Sequence, residues 1–198
     1  MGLDLEYVYG QTPLDEDEKE GLLIKSISTR GELDEFEQQN IEKAVLWTLK
    51  RKFKSTDILS ELFIKRLHKK MYGDVWKWAG TFRNTNKNIG ADKLQIPVQL
   101  RNLLDDCSYW IETRSFNEDE IALRCKHRIV SIHCFPNGNG RHSRLLADII
   151  IEHVFKKNAF SWGAGNLVKH NNAREEYLKA VKAADKGDYA PLINFARS

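Results

Sequence analysis

Over most of its length this chain places apolar side chains three and four residues apart. That spacing leaves room for little besides helices packed on helices. The first such stretch opens at Thr29-Arg30-Gly31-Glu32, a capping-box pattern, and carries Leu33, Phe36, Ala44 and Trp47 inward to about residue 50. A second begins near Ser55–Asp57, has its stripe in Ile58, Leu62, Phe63, Leu67 and Met71, and stops at Gly73. A third spans about 98–112, a fourth opens with Asn117 and Glu120 in cap positions, and a fifth follows the glycines at 138–140. Two more are expected over 172–185 and 189–197. One segment departs from this pattern. Residues 81–97 set Asn86, Asn88, Gly90 and Asp92 between two short extended stretches, which reads as a small β-hairpin. The expected fold is all-α with one hairpin.

Five Trp, six Tyr and nine Phe in 198 residues exclude a chain disordered throughout. No apolar run approaches a membrane span, and the acidic, polar N-terminus does not read as a secretory leader. A net charge of +3 is too small to argue for nucleic acid, so neither membrane nor direct nucleic-acid binding is expected. The three cysteines, Cys107, Cys125 and Cys134, show no C-x-x-C spacing and read as reduced thiols in a cytoplasmic protein. Residues 1–28, with the acidic run Asp15–Glu18 and Glu20, read as an arm ahead of a single domain at 29–198.

Chemistry concentrates in His133-Cys134-Phe135-Pro136-Asn137-Gly138-Asn139-Gly140-Arg141-His142-Ser143-Arg144. A helix ends at His133, leaving an imidazole at a chain break. Gly138 and Gly140 admit positive φ and close approach of a ligand to main-chain N–H groups. The next helix starts there, with its unpaired N–H groups turned to the loop, and such a junction suits phosphates. Arg141 and Arg144, three apart on its first turns, are expected to reach one anion together. A histidine, an anion nest and two arginines suggest phosphoryl or nucleotidyl transfer; the plain alternative is a glycine turn with surface arginines. His142 reads as a solvent-facing helix residue and His127 as a core-edge one.

That stretch resembles the Fic (Fic/Doc, Fido) signature H-x-F-x-(D/E)-G-N-G-R-x-x-R, with Asn137 in place of the acidic residue. Trp76-Lys77-Trp78-Ala79-Gly80-Thr81-Phe82-Arg83 and Asn88-Ile89-Gly90 resemble the family's approach to its flap, and Arg174…Tyr177…Asp185-Lys186-Gly187-Asp188 its C-terminal nucleotide-binding helix. Thr12-Pro13-Leu14 and Ser161-Trp162-Gly163 are similar to the branch called mobile mystery protein B. The resemblance implies a Fic-type helical bundle with a β-hairpin flap and a protein adenylyltransferase that moves AMP from ATP to a Ser, Thr or Tyr hydroxyl. It implies His133 as general base. Asn137, Gly138, Asn139, Gly140, Arg141 and Arg144 would hold the phosphates, and Tyr177 and Asp185 the adenosine. It implies Mg²⁺ or Mn²⁺ as cofactor, held weakly because Asn137 lacks the charge a hard cation prefers. A target protein would dock on the flap at Ile89, Gly90, Leu94 and Gln95. Partners implied with it are an antitoxin-like regulator and a second copy in a homodimer. Glu16-x-x-x-Glu20-Gly21 partly fits the family's inhibitory pattern, which makes Glu20 the candidate restraint on Arg144. The alternative is a catalytically weakened Fic-fold protein that binds a nucleotide or partner in a toxin–antitoxin-like system.

Overall fold

The structure, a computed structural model, describes residues 13–164 and 173–198. Among these the chain forms nine α-helices: α1 (Glu16–Glu20), α2 (Arg30–Leu49), α3 (Ser55–Ile58), α4 (Glu61–Tyr72), α5 (Ile96–Thr113), α6 (Glu118–Ile132), α7 (Asn139–His153), α8 (Ala173–Ala184) and α9 (Ala190–Arg197). The long helices start where a side chain satisfies their first N–H groups. Thr29 accepts from the Glu32 N–H, and the Glu32 carboxylate takes the N–H of Ser28 and Thr29 in return. Ser60 caps α4 and Asn117 caps α6 in the same way. Pro97 sits in the first turn of α5, where its missing N–H would have had no helical acceptor.

Helices α6 and α7, joined by residues 133–138, pack on each other at the centre of the bundle. Helix α5 covers α6, α2 lies on α4, and α8 pairs with α9, which also touches α6. Their apolar stripes meet in one core, in which Ile64, Leu67, Met71, Leu100, Leu103 and Ile150 are buried. Each such side chain contributes about 1.5–3 kcal/mol through burial. What positions the site is the end of α6, the start of α7, and the face of α4 that carries His68 and Tyr72.

Four expectations change. The 81–97 segment is not a β-hairpin; among the described residues the β-structure is one isolated bridge, Leu22 to Trp76. Its backbone acceptors are taken by side chains instead of a second strand. Arg83 donates to the carbonyls of Thr85 and Ala91, and Lys93 Nζ to that of Asn84. Asn86 ties itself to Asp92 and to the Lys93 N–H, and Ile96–Pro97 already belong to α5. The described part of the N-terminal arm is not solvated chain, because Leu14, Leu22 and Ile27 join the core and the Gly21 carbonyl accepts from the Lys77 N–H. Cys107 of α5 and Cys125 of α6 are joined in a disulfide; eighteen residues apart, they face each other only once both helices are packed. Leu62, expected in the α4 stripe, is 78 % exposed.

Candidate active site

His133 caps α6 in the left-handed conformation, with φ +57°. Its imidazole is buried, yet neither Nδ1 nor Nε2 has a hydrogen-bond partner. Burial, with the charges of Arg83 and Lys87 nearby, pushes its pKa down to about 4. The ring is therefore neutral at physiological pH, with a lone pair free to take a proton. Above it lies the 84–92 loop. A Cβ on Gly90, at φ +96°, would stand 2.6 Å from His133 Cβ, so only glycine lets the loop come this close.

Arg83 holds that loop to the base. Its Nε donates to the His133 carbonyl at 2.6 Å, its other nitrogens reach Thr85, Ala91 and Ile132, and its own N–H donates to the Cys134 carbonyl at 3.0 Å. Among the described residues the hydrogen-bond acceptors of this guanidinium are all carbonyls, with no carboxylate bonded to it.

The motif loop is braced from behind. The Asn139 side chain accepts the Phe135 N–H and donates to the Phe135 carbonyl, a two-point staple made by an amide copying a peptide. Phe135 is fully buried and stacks on His68, with ring centroids 3.8 Å apart. His68 Nδ1 accepts the Gly80 N–H, so its proton sits on Nε2 and is donated to the Asn137 carbonyl at 3.0 Å. Gly138, at φ +76°, rests against Tyr72, whose ring a Cβ would meet at 2.5 Å. The other side of the loop is open, since a Cβ on Gly140 would meet nothing within 4 Å. The first N–H groups of α7 lie at this open side without acceptors inside the helix. Asn139 thus shapes the nest with its side chain and lends it only its backbone.

The two arginines do not converge. Arg141 pairs with buried Glu37 of α2 at 2.5 Å and lies over Tyr72. Glu37 in turn accepts from Trp76 Nε1 at 2.6 Å. Arg144 turns to the opposite side, over Tyr177 at 4.4 Å and Trp162 at 5.8 Å, with its Nε buried and unpartnered. Spacing alone brought them together; a carboxylate on a distant helix separates them. Tyr177 receives a 2.5 Å hydrogen bond from Lys126, a fully buried lysine two turns before His133. Burial raises the Tyr177 phenol pKa, but the charges of Lys126 and Arg144 outweigh it and the net direction is down. Asp148, beneath Trp162, accepts from both the Trp162 ring and the Phe160 N–H, and burial pushes its pKa up to about 7. Asp185 lies against His127 Nε2 at 2.8 Å, and His127 Nδ1 meets the Tyr189 hydroxyl.

Other expected residues fall elsewhere. Glu20 is exposed at the end of α1, and the structure does not bring it to Arg144. Its neighbour Glu18 is the buried one, paired at 2.6 Å with Lys87 of the loop over His133, and Asp15 joins the same lysine at 2.8 Å. His142 is buried, donating to the Ile64 carbonyl, and does not face solvent. Cys134 is a buried thiol whose pKa burial pushes up to about 12. Ile89 and Leu94 are half or more exposed, and Gln95 is exposed. Arg83 closes the Trp76–Arg83 stretch that resembles the approach to the flap, but that stretch gives it no role at the base; Glu37 and Lys126 carry no motif of their own.

Residues 58–151 match the model of the Fic/DOC family. The chain carries a Fic/DOC family domain. This Fic domain is 27 % identical over 136 residues to the protein adenylyltransferase Fic of Drosophila grimshawi, covering 67 % of this chain and 26 % of that one. It is 24 % identical over 143 residues to the protein of the same name from Aedes aegypti, covering 70 % and 27 %. The match thus spans about a quarter of those relatives' own length. Among solved structures, the fold is similar to BepC of Bartonella tribocorum with bound AMPPNP (TM-score 0.69, 15 % identity, 92 % of this chain and 97 % of that chain). It is also similar to Fic-1 of C. elegans (TM-score 0.64, 21 % identity, 80 % and 46 %).

The buried imidazoles of this Fic domain make its stability acid-sensitive. His133 and His142 are both pushed down to about 4, and His68 lies well below its ordinary value. Between pH 6.5 and 4 the unfolded chain takes protons that the folded one refuses, so their contribution is complete above 6.5 and lost as pH falls. Asp148 acts in the opposite sense, because its folded pKa is raised to about 7. Three histidines against one aspartate give a net loss. Urea midpoints measured from neutral pH down to 4 should fall steadily, and His142→Leu should flatten that slope. A flat profile would mean these rings are solvated.

Proposed function

We propose that this domain transfers AMP from ATP to a hydroxyl group of a target protein. The observation that carries the reading is His133, a neutral imidazole with two buried, unpartnered ring nitrogens beside the open end of α7. Relatives named protein adenylyltransferase and the similar fold of BepC with bound AMPPNP support it. The phosphates would lie on the N–H groups of the first turn of α7, with Arg144 toward them and Tyr177 alongside the nucleoside. A target hydroxyl would enter beneath the 84–92 loop, guided by exposed Ile89 and Leu94. His133 takes its proton as the oxygen bonds to the α-phosphorus, and the bond to the β-phosphate oxygen breaks to release pyrophosphate.

A protein-held Mg²⁺ does not fit the residues present. The loop offers one neutral amide oxygen, Asn137 Oδ1, and that atom already accepts the Gly138 N–H at 2.6 Å. Among the described residues no group of three His, Cys, Asp or Glu is placed to hold a metal. No step above runs through one. The same amide favours the second reading, a weakened binder. Incubation with ATP and Mg²⁺, followed by mass spectrometry for the added AMP group, separates the two. If the domain is active, Asn137→Asp should lower the Mg²⁺ concentration needed for half-maximal rate, since it adds charge to a hard oxygen donor. If neither protein modifies itself or any lysate protein, the transferase reading fails.

A further inference from the structure

Helix α4 presents two faces. One carries His68 and Tyr72 to the motif loop. The other carries Leu62, Arg66, Lys69 and Lys70 outward, beside the C-terminal half of α2. Along this outer face run three adjoining recesses, one of about 460 Å³ between the α2–α3 connection, α3 and α4, one of about 320 Å³ between α2 and α4, and one of about 510 Å³ on the last turns of α2 and the start of the connection. Their floor is aromatic, with Trp47, Phe53 and Phe63 in mutual ring contact at 5.1–6.2 Å.

The rim is cationic. Lys43, Lys50, Arg51, Arg66, Lys69 and Lys70 line it, against two carboxylates, Asp57 and Asp74. Asp74 is spent on Lys43 at 2.8 Å, and Asp57 accepts the Lys54 N–H. Arg51, Arg66 and Lys70 lie over Trp47 at 5.1–6.0 Å. A chain of net charge +3 has thus gathered its surplus on one face. Leu46 and Leu62, 54 % and 78 % exposed, line two of these recesses.

Each feature narrows the occupant. Surplus cations call for an acidic partner. Exposed leucines beside a groove call for aliphatic side chains, which a nucleic acid does not have, and the Trp47 face that a base would stack on is already covered by cations. Two of the recesses lie between chain elements with Trp47 partly buried at their junction, a shape that fits a rod better than a flat bilayer. We propose that this groove docks an acidic amphipathic helix of a partner protein, apolar face on Leu46 and Leu62, carboxylates on Arg51, Arg66 and Lys70 where they lie over Trp47. The proposal does not depend on the transferase reading.

The test uses the full chain and a fluorescein-labelled synthetic helix of about three heptads, leucine at a and d and glutamate elsewhere. Saturable binding is expected. It should weaken about tenfold in Arg66→Glu/Lys70→Glu and by a similar factor in Leu46→Ser/Leu62→Ser, with circular dichroism confirming that both variants fold. The same peptide with lysine for glutamate should not bind. The proposal is overturned if the leucine variant binds as wild type, which would mean simple charge adhesion. It is also overturned if oligothymidylate or phosphatidylserine vesicles displace the peptide at lower concentration, or if the acidic peptide does not bind at all.

Discussion

Replacing His133 should stop transfer while leaving nucleotide binding almost unchanged. The ring sits under the 84–92 loop, and in the proposed function phosphate binding is left to the first turn of α7 and to Arg144, so its loss would remove a proton acceptor and little else. Loss of a general base costs about 10²–10⁴ in rate. His133→Asn is the sharper variant, because asparagine tolerates the left-handed backbone at φ +57° better than alanine does. With His133→Ala beside it, any folding defect from the helix end is separated from the chemical one. Turnover by mass spectrometry and ATP affinity by calorimetry read the two effects apart. Activity close to wild type in His133→Asn would assign the base elsewhere; equal loss of binding and turnover would make the residue structural.

Arg83 should show the largest combined effect on stability and rate. Its guanidinium serves the carbonyls of His133, Thr85, Ala91 and Ile132 at the junction between loop and helix end. Arg83→Met keeps much of the volume and strands those buried acceptors, at a cost of about 3 kcal/mol. That corresponds to a melting point lower by roughly 6–12 °C. Arg83→Lys should recover part of the stability, since one ammonium replaces a planar fork. Arg83 charge also helps hold the His133 pKa down. In Arg83→Met the acid limb of the kcat/KM profile should therefore move to higher pH, while Arg83→Lys, which keeps the charge, should leave it nearly in place; loss of burial alone would move it in both variants. An unmoved limb with intact turnover would reduce Arg83 to a loop anchor.

The sequence carried the helices well, because apolar periodicity and caps are local. The box at Thr29–Glu32 and the cap at Asn117 act over three residues and are present as read. The His133–Arg144 stretch was legible as a helix–glycine loop–helix junction for the same reason, since His133, Gly138 and the start of α7 are neighbours in sequence. The 81–97 segment was misread because its Asn, Gly and Asp residues do mark turns. What satisfies its backbone, however, is the Arg83 fork reaching a helix end fifty residues on. Cys107 and Cys125 gave no spacing signal, as their meeting depends on α5 lying along α6.

The sequence by itself determined the helical class, the general base candidate at a helix end and the open glycine turn before α7, all properties of chain segments a few residues long. Tertiary structure alone decided how these parts are aimed. Arg141 and Arg144 share a helical face in any isolated helix, yet Glu37 takes the first and the Tyr177–Trp162 side takes the second. Glu18, and not Glu20, reaches the loop over His133, because α1 turns that face inward against Lys87. Side-chain direction within a helix follows from local geometry, but a charge pairs with whatever packing brings within hydrogen-bond distance in a poorly solvated interior, and that partner lies far away in sequence.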